Sequence, residues 1–461
     1  MELTFCGAAR AVTGSCIHIQ LPTAQLLIDC GLQQGHDVID NHHFPFQPQD
    51  IDYVLLTHCH IDHCGRLPLL VKQGFAGPIF MTEPTAQLLK IMLQDSARMQ
   101  ENDRYWHKHQ STNRILFTME DVEATLRQVH TCPYHQPCEL QPQLQFTLYD
   151  AGHMLGSATI ALRYTEQQQQ RTIVFSGDIG NRSMPIIENP QNVPKADIVI
   201  MESTHGDHCY LQQSDYLQPL AQLLEQTFQR GGNVLIPAAA VGRTQELLYY
   251  LHCIKQHKLT PSLPDFPVYV DSPLSQEANE LYRSGMLDAY LDKEALTLKQ
   301  HHGTLLEFSN LHFCTNRQQS QAINHTPAPK VIIATSSTCD SGPICHHLLH
   351  NLNNSQCTII LLGNQRRGTL GHILSDGTRR VKLLGHDITV QAHIVSLHVR
   401  PIHGDYQILQ QWLGQIQPKP QQIFLNHGDE EVSLLLAQSL QQQNYSAQVP
   451  YYGQHFSISP N

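Results

Sequence analysis

Three imidazoles and a carboxylate fall within six residues in His58-Cys59-His60-Ile61-Asp62-His63, directly after Thr57 and the apolar run Tyr53-Val54-Leu55-Leu56. These residue types at this spacing hold metal ions. Alternate residues of an extended chain point the same way, so His58 and His60 can share one ion. Asp62 and His63, at the start of a helix, turn toward a second. Mixed nitrogen and oxygen donors suit Zn²⁺ best, with manganese or iron as the alternatives.

Further candidate ligands stand where apolar runs stop: Leu27-Ile28-Asp29, Tyr149-Asp150-Ala151-Gly152-His153, Val174-Phe175-Ser176-Gly177-Asp178 and Phe424-Leu425-Asn426-His427. Strand ends gather along one sheet edge, where a rigid scaffold can assemble a binuclear site from distant sequence. The first part of the chain reads as strands at 2–7, 15–20, 25–29, 52–57, 79–82 and 144–150. Helical periodicity runs over 67–73, 85–100 and 120–129, so strands and helices alternate as in an α/β layered domain. The glutamines at 167–170 predict a hairpin turn.

From about residue 208 the pattern becomes strand, loop, helix. Strands at 233–237, 268–270, 330–334 and 358–362 are followed by helices starting near 244, 275, 342 and 370, which predicts a parallel, doubly wound sheet. Strands with acidic and histidine endings resume after about 395, so the second unit reads as an insertion into the first.

Taken together, these residues resemble the β-CASP nuclease branch of the metallo-β-lactamase fold, in its short prokaryotic form. The branch includes ribonuclease J and the endonuclease that cuts eukaryotic pre-mRNA at its 3′ end. Asp29, the His58 to His63 run, His153 within Ala151-Gly152-His153-Met154-Leu155-Gly156, and Asp178 within Ser176-Gly177-Asp178-Ile179-Gly180 look like the fold's first four motifs. Glu202 in Met201-Glu202-Ser203-Thr204, His403 in Ile402-His403-Gly404-Asp405 and His427 in Asn426-His427-Gly428-Asp429 look like the three that the branch adds. The segments Val241-Gly242-Arg243-Thr244-Gln245-Glu246 and Gln365-Arg366-Arg367-Gly368-Thr369-Leu370 resemble parts of the inserted β-CASP domain.

The resemblance implies a four-layer αββα metallo-β-lactamase fold (1–207 and 396–461) carrying a Rossmann-like β-CASP domain (208–395). It also implies two Zn²⁺ per chain. His58, His60 and His153 would hold one, Asp62, His63 and His427 the other, and Asp178 would bridge them, while Asp29 would orient a ligand histidine. The implied activity is hydrolysis of single-stranded RNA by metal-activated water in a groove between the domains, leaving 5′-phosphate and 3′-hydroxyl ends. His403 is the expected general acid and Glu202 its partner. DNA stays open as a substrate, because no motif identifies a reader of the 2′-hydroxyl. A small-molecule hydrolase is the alternative, since one fold hosts many reactions. Relatives often pair, so a homodimer is a further expectation.

Composition sets bounds on this reading. Lys and Arg number 29 against 40 Asp and Glu, a net charge of −11, which argues against general coating of nucleic acid and leaves a polyanion to be attracted locally. The 13 cysteines form no repeated framework, and Cys59 and Cys64 lie within the histidine run, so a reducing, cytoplasmic setting is expected. No apolar run approaches membrane-spanning length, and the start lacks a basic segment followed by an apolar one.

Overall fold

The computed structural model describes residues 1–106, 115–166, 168–210, 216–363 and 365–458. The chain forms two compact units, Met1–Cys209 with Ile402–Asn461, and Tyr210–Pro401.

The first unit holds two seven-stranded sheets among its described residues. One runs, in spatial order, His455–Ser457, Glu2–Gly7, Cys16–Gln20, Gln25–Ile28, Tyr53–Leu55, Ile79–Met81, Val129–Thr131. The other runs Ala447–Gln448, Gln422–Asn426, Ile198–Glu202, Gln169–Phe175, Ala158–Glu166, Leu144–Asp150, Cys138–Gln141. Leu3, Phe5 and Ile19 of the first sheet and Phe146, Ile160, Phe175, Ile200 and Phe424 of the second form one buried cluster. The opposite face of the second sheet offers Val174, Val199, Met201, Ile423 and Leu425, which pack with Leu409, Trp412 and Leu413 of helix Tyr406–Gly414 and Leu436 and Leu440 of helix Glu430–Gln442. Both faces of Ile198–Glu202 are buried, which is why this strand reads as a continuous apolar run and not as an alternation. Helices outside two face-to-face sheets give the four-layer αββα fold expected from the sequence.

Two local expectations change. The helix expected over 120–129 is Met119–Leu126, and Val129–Thr131 is an edge strand that pairs in parallel with Ile79–Met81. Tertiary pairing of the β-branched Val129 and Thr131 outweighs the helical periodicity. The strand expected over 52–57 stops at Leu55, because the Thr57 N–H leaves the ladder and donates to Asp29 Oδ1 at 2.8 Å.

In the second unit a six-stranded sheet runs Leu311–Cys314, Val268–Asp271, Val331–Ala334, Val234–Pro237, Thr358–Leu362, His393–Leu397, and every pairing is parallel. This is the Rossmann-like insertion. The edge strands Leu311–Cys314 and His393–Leu397 complete the four expected from the strand, loop, helix units. Among the described residues no helix is long and apolar enough to cross a membrane, and all the cysteines are free thiols.

Candidate metal centre

Strand ends and one short helix position the candidate ligands. His58 lies in the loop after Tyr53–Leu55, His60 caps helix Ile61–Cys64, and Asp62 and His63 lie within that helix. His153 follows Leu144–Asp150, Asp178 follows Gln169–Phe175, and His427 follows Gln422–Asn426. Asp29 and His427 hold left-handed backbone, with φ of 60° and 50°. That conformation costs non-glycine residues of order 1–3 kcal/mol and is retained where surrounding structure fixes it, commonly at functional sites. Gly180 admits the close approach of the His153 loop, since a Cβ there would lie 1.6 Å from Gly152 O.

The side chains converge in two groups, His58, His60, His153 and Asp178 in one and Asp62, His63 and His427 in the other. His60 Nδ1 lies 3.1 Å from both His58 Nε2 and His153 Nε2. His63 Nε2 lies 3.0 Å from His427 Nε2, and Asp62 Oδ2 lies 3.5 Å from the same His427 atom. Asp178 reaches both groups: Oδ2 is 3.5 Å from His58 Nε2 and from His153 Nε2, while Oδ1 is 3.3 Å from His63 Nε2 and 3.6 Å from His427 Nε2.

Charge is strongly coupled here. Burial raises the Asp178 carboxyl, but His427, His63 and His58 outweigh burial and hold it well below its usual range. Burial opposes protonation of His63, yet Asp178 and Asp29 together raise it well above the ordinary imidazole value. Burial, then the neighbouring His63, keeps His58 well below that value.

Beside this cluster stands a second device. His403 Nδ1 lies 2.9 Å from Glu202 Oε2 and 3.9 Å from Asp178 Oδ2. Burial disfavours the imidazolium, but Glu202 and Asp178 prevail and push His403 up to about 9. Glu202 is itself anchored by the Ile179 N–H. Gly404 N donates to Ile179 O at 2.7 Å, so the segment carrying His403 is tied to the loop carrying Asp178.

Residues 18–191 match a metallo-beta-lactamase superfamily domain, 244–374 the Beta-Casp domain, and 387–450 a Zn-dependent metallo-hydrolase RNA specificity domain. Ribonuclease TTHA0252 of Thermus thermophilus is 32% identical over 455 residues, covering 98% of this chain and 99% of its own. The chain belongs to the β-CASP branch of the metallo-β-lactamase superfamily. This β-CASP protein is also 29% identical to the transcription termination factor FttA of Methanothermobacter thermautotrophicus, over 95% of the chain and 69% of that factor. A solved protein of unknown function from Enterococcus faecalis shares the fold, with a TM-score of 0.56 and 11% identity over 99% of each chain.

Membership in this superfamily implies divalent metal binding, and the β-CASP protein's donors fit it. Asp178 Oδ1 is buried and makes no hydrogen bond among the described residues, a costly state for a carboxylate oxygen unless a cation faces it. The nitrogens 3.0–3.1 Å apart approach the separation of about 3.3 Å between ligands placed tetrahedrally about zinc at 2.0–2.1 Å.

Four of the five histidines direct their other ring nitrogen to a hydroxyl, carboxylate or carbonyl, as ligand histidines require for a fixed tautomer. His63 Nδ1 meets Asp29 Oδ2 at 2.7 Å, His58 Nδ1 meets Thr57 Oγ1 at 3.1 Å, His427 Nδ1 meets Thr204 Oγ1 at 3.1 Å, and His153 Nδ1 faces Ile402 O at 3.4 Å. The roles of Thr57 and Thr204 escape the sequence reading, although Thr57 adjoins and Thr204 ends a motif that it singles out. Asp150, at the same strand end as His153, stays outside the cluster, its Oδ1 accepting the Gly152 N–H at 2.8 Å.

Proposed function

We propose that this chain is a zinc-dependent ribonuclease that hydrolyses single-stranded RNA, leaving 5′-phosphate and 3′-hydroxyl ends. The single observation that carries the reading is Asp178, whose two oxygens face two separate ligand groups while the His403–Glu202 pair stands alongside. RNA as the substrate class is supported by the match over 387–450 and by the relative named a ribonuclease.

His58 Nε2, His60 Nδ1, His153 Nε2 and Asp178 Oδ2 would hold one cation. Asp62, His63 Nε2, His427 Nε2 and Asp178 Oδ1 would hold the other. When bound, a pair of zinc ions supplies a water acidified from 15.7 to about 7 and positive charge for a phosphoryl oxygen. Asp29 fixes the His63 ring through Nδ1, and Thr57 and Thr204 do the same for His58 and His427.

The protein must also deliver a proton. As water adds to phosphorus and the bond to O3′ breaks, the departing oxygen would become an alkoxide, a poor leaving group. His403, with Nδ1 engaged by Glu202, keeps Nε2 for that proton and transfers it to O3′. The Glu202 carboxylate stabilises the imidazolium before transfer. Breakage of P–O3′ leaves the phosphate on the 5′ side of the downstream fragment.

Digestion of one RNA labelled at either end, beside its DNA counterpart, tests this reading when product ends are mapped and metals are counted by elemental analysis. Cut RNA with 5′-phosphate ends and close to two zinc ions per chain is expected. Intact RNA with zinc-loaded protein, or wild-type cleavage by His58→Ala, would sink it.

A further inference from the structure

Strand Val268–Asp271 is followed by its neighbour Leu311–Cys314 on one side, whereas the adjacent strand Val331–Ala334 is followed by Thr358–Leu362, beyond Val234–Pro237 on the other. Right-handed connections that leave adjacent parallel strands in opposite directions place their helices on opposite faces. The loops therefore part at the carboxyl ends, and in open parallel sheets ligands bind in the crevice so formed. A cavity of 790 Å³ lies there, within the range of about 300–1,000 Å³ typical of small-molecule sites. Asp271 at the end of the first strand and Pro273 just after it line the cavity, as do Asp340 to Pro343 after the second.

The charged lining is sorted by role. Asp271 is buried and engaged, its Oδ2 accepting from Ser320 Oγ at 2.5 Å and facing His347 Nε2 at 2.7 Å. Arg317, His325, His346 and His350 line the same cavity and are exposed. Arg317 has no hydrogen-bond or ion-pair partner among the described residues. His346 and His350 stand one helical turn apart. His350 is held below its usual range, by partial burial first and then by His325, His347 and His346. These imidazoles crowd one another, and a bound anion relieves their repulsion.

Asp340 is exposed at the cavity, with Oδ1 accepting the Leu370 N–H at 2.8 Å. A lone phosphate would be repelled by it. A phosphorylated sugar would not, because cations take the phosphate while a carboxylate accepts sugar hydroxyls, the division of labour found where parallel sheets bind nucleotides. We propose that this cavity, built wholly from the second unit, binds a ribonucleoside monophosphate, with Arg317, His346 and His350 at the phosphate and Asp340 at the ribose hydroxyls. The site stands independently of the ribonuclease reading.

Calorimetric titration with AMP and UMP, beside 2′-deoxy-AMP, adenosine and inorganic phosphate, tests the proposal. Binding of AMP or UMP is expected to weaken at least about tenfold in Arg317→Ala, the loss of one charge-assisted contact. Ribose should be preferred to deoxyribose, and Asp340→Asn should erase that preference. Both substituted side chains are exposed, so unliganded melting temperatures serve as the control for folding. No binding of either nucleotide would overturn the proposal. So would equal affinity in Arg317→Ala, which places the ligand elsewhere, phosphate binding as tightly as AMP, or a ribose preference that survives Asp340→Asn.

Discussion

Asp29 Oδ2 and His63 Nδ1 lie 2.7 Å apart, and this contact leaves Nε2 of His63 facing Asp178. Asp29 is held in place by the Thr57 N–H at 2.8 Å and by Ser15 Oγ at 3.1 Å. Asn at position 29 could present an amide N–H where the ring needs an acceptor. Asp29→Asn is expected to weaken metal binding by about 10–100-fold, with activity recovered at high metal concentration. Competition against a coloured chelator measures it, and unaltered affinity would reduce Asp29 to a strand-end turn.

Removing metal should cost stability as well as activity. The nitrogens of His58, His60 and His153 face one another beside Asp178, an arrangement that a cation among them stabilises. Binding to the folded chain alone stabilises it by about 2.7 kcal/mol at a hundredfold excess over the dissociation constant. A chelator should therefore lower the melting temperature of the wild type by several degrees. Asp178→Asn, which lacks the charge that serves both groups, should hold less than one metal per chain and show almost no chelator effect. A full chelator response in that variant would argue that the metals sit elsewhere.

The clustered side chains were legible as candidate ligands because each announces itself locally, either in the dense run from His58 to His63 or at the end of an apolar run, as with Asp178 and His427. The fold brings these positions together, including His153, which lies 93 residues from its contact His60. What stayed hidden depends on pairing across the chain. Val129 continues the helical spacing of Val122 and Thr125, and only Ile79–Met81 alongside makes it a strand. The roles of Thr57 and Thr204 require knowing which ring nitrogen points at each hydroxyl. The crevice in the second unit follows from strand order, which the repeated strand, loop, helix pattern does not specify.

His403 can be separated from the metal ligands by its substrate dependence. His403→Ala should lower kcat on RNA by about 10²–10⁴, the usual contribution of a positioned acid, while leaving two metals bound. A phosphodiester with a nitrophenolate leaving group needs little protonation, so its hydrolysis should fall far less. Glu202→Gln should show the same pattern in weaker form. Equal losses on both substrates would mean that His403 supports the metal site and does not deliver a proton.

Gly180 is a structural test of the same region. An added Cβ would meet Gly152 O at 1.6 Å and His153 N at 2.6 Å, and neither backbone atom can yield without moving the His153 loop. Gly180→Ala is expected to cost about 1–3 kcal/mol through overpacking and to reduce metal affinity with it. Gly414, at the end of helix Tyr406–Gly414, has no atom within 4 Å of an added Cβ. Gly414→Ala should be neutral or stabilising by up to about 1 kcal/mol. Calorimetric melting with metal analysis distinguishes the two, and a silent Gly180→Ala would refute the close approach.

Asp150 gives a pH dependence of stability with a definite sign. Burial, with Glu188 adding to it, overrides the Gly152 N–H and pushes its carboxyl up to about 7, against about 3.9 in the unfolded chain. The folded state then binds the proton more tightly, so its contribution is full below about pH 4 and is lost as pH rises toward 7. Asp150→Asn keeps an oxygen for the Gly152 N–H and removes the charge. Its stability relative to wild type should therefore grow from pH 5 to pH 8, by roughly 1.4 kcal/mol for each unit of pKa difference crossed. Urea unfolding at the two pH values checks this, and a relative stability that falls with rising pH would show that Asp150 is ionised and stabilised in the folded chain.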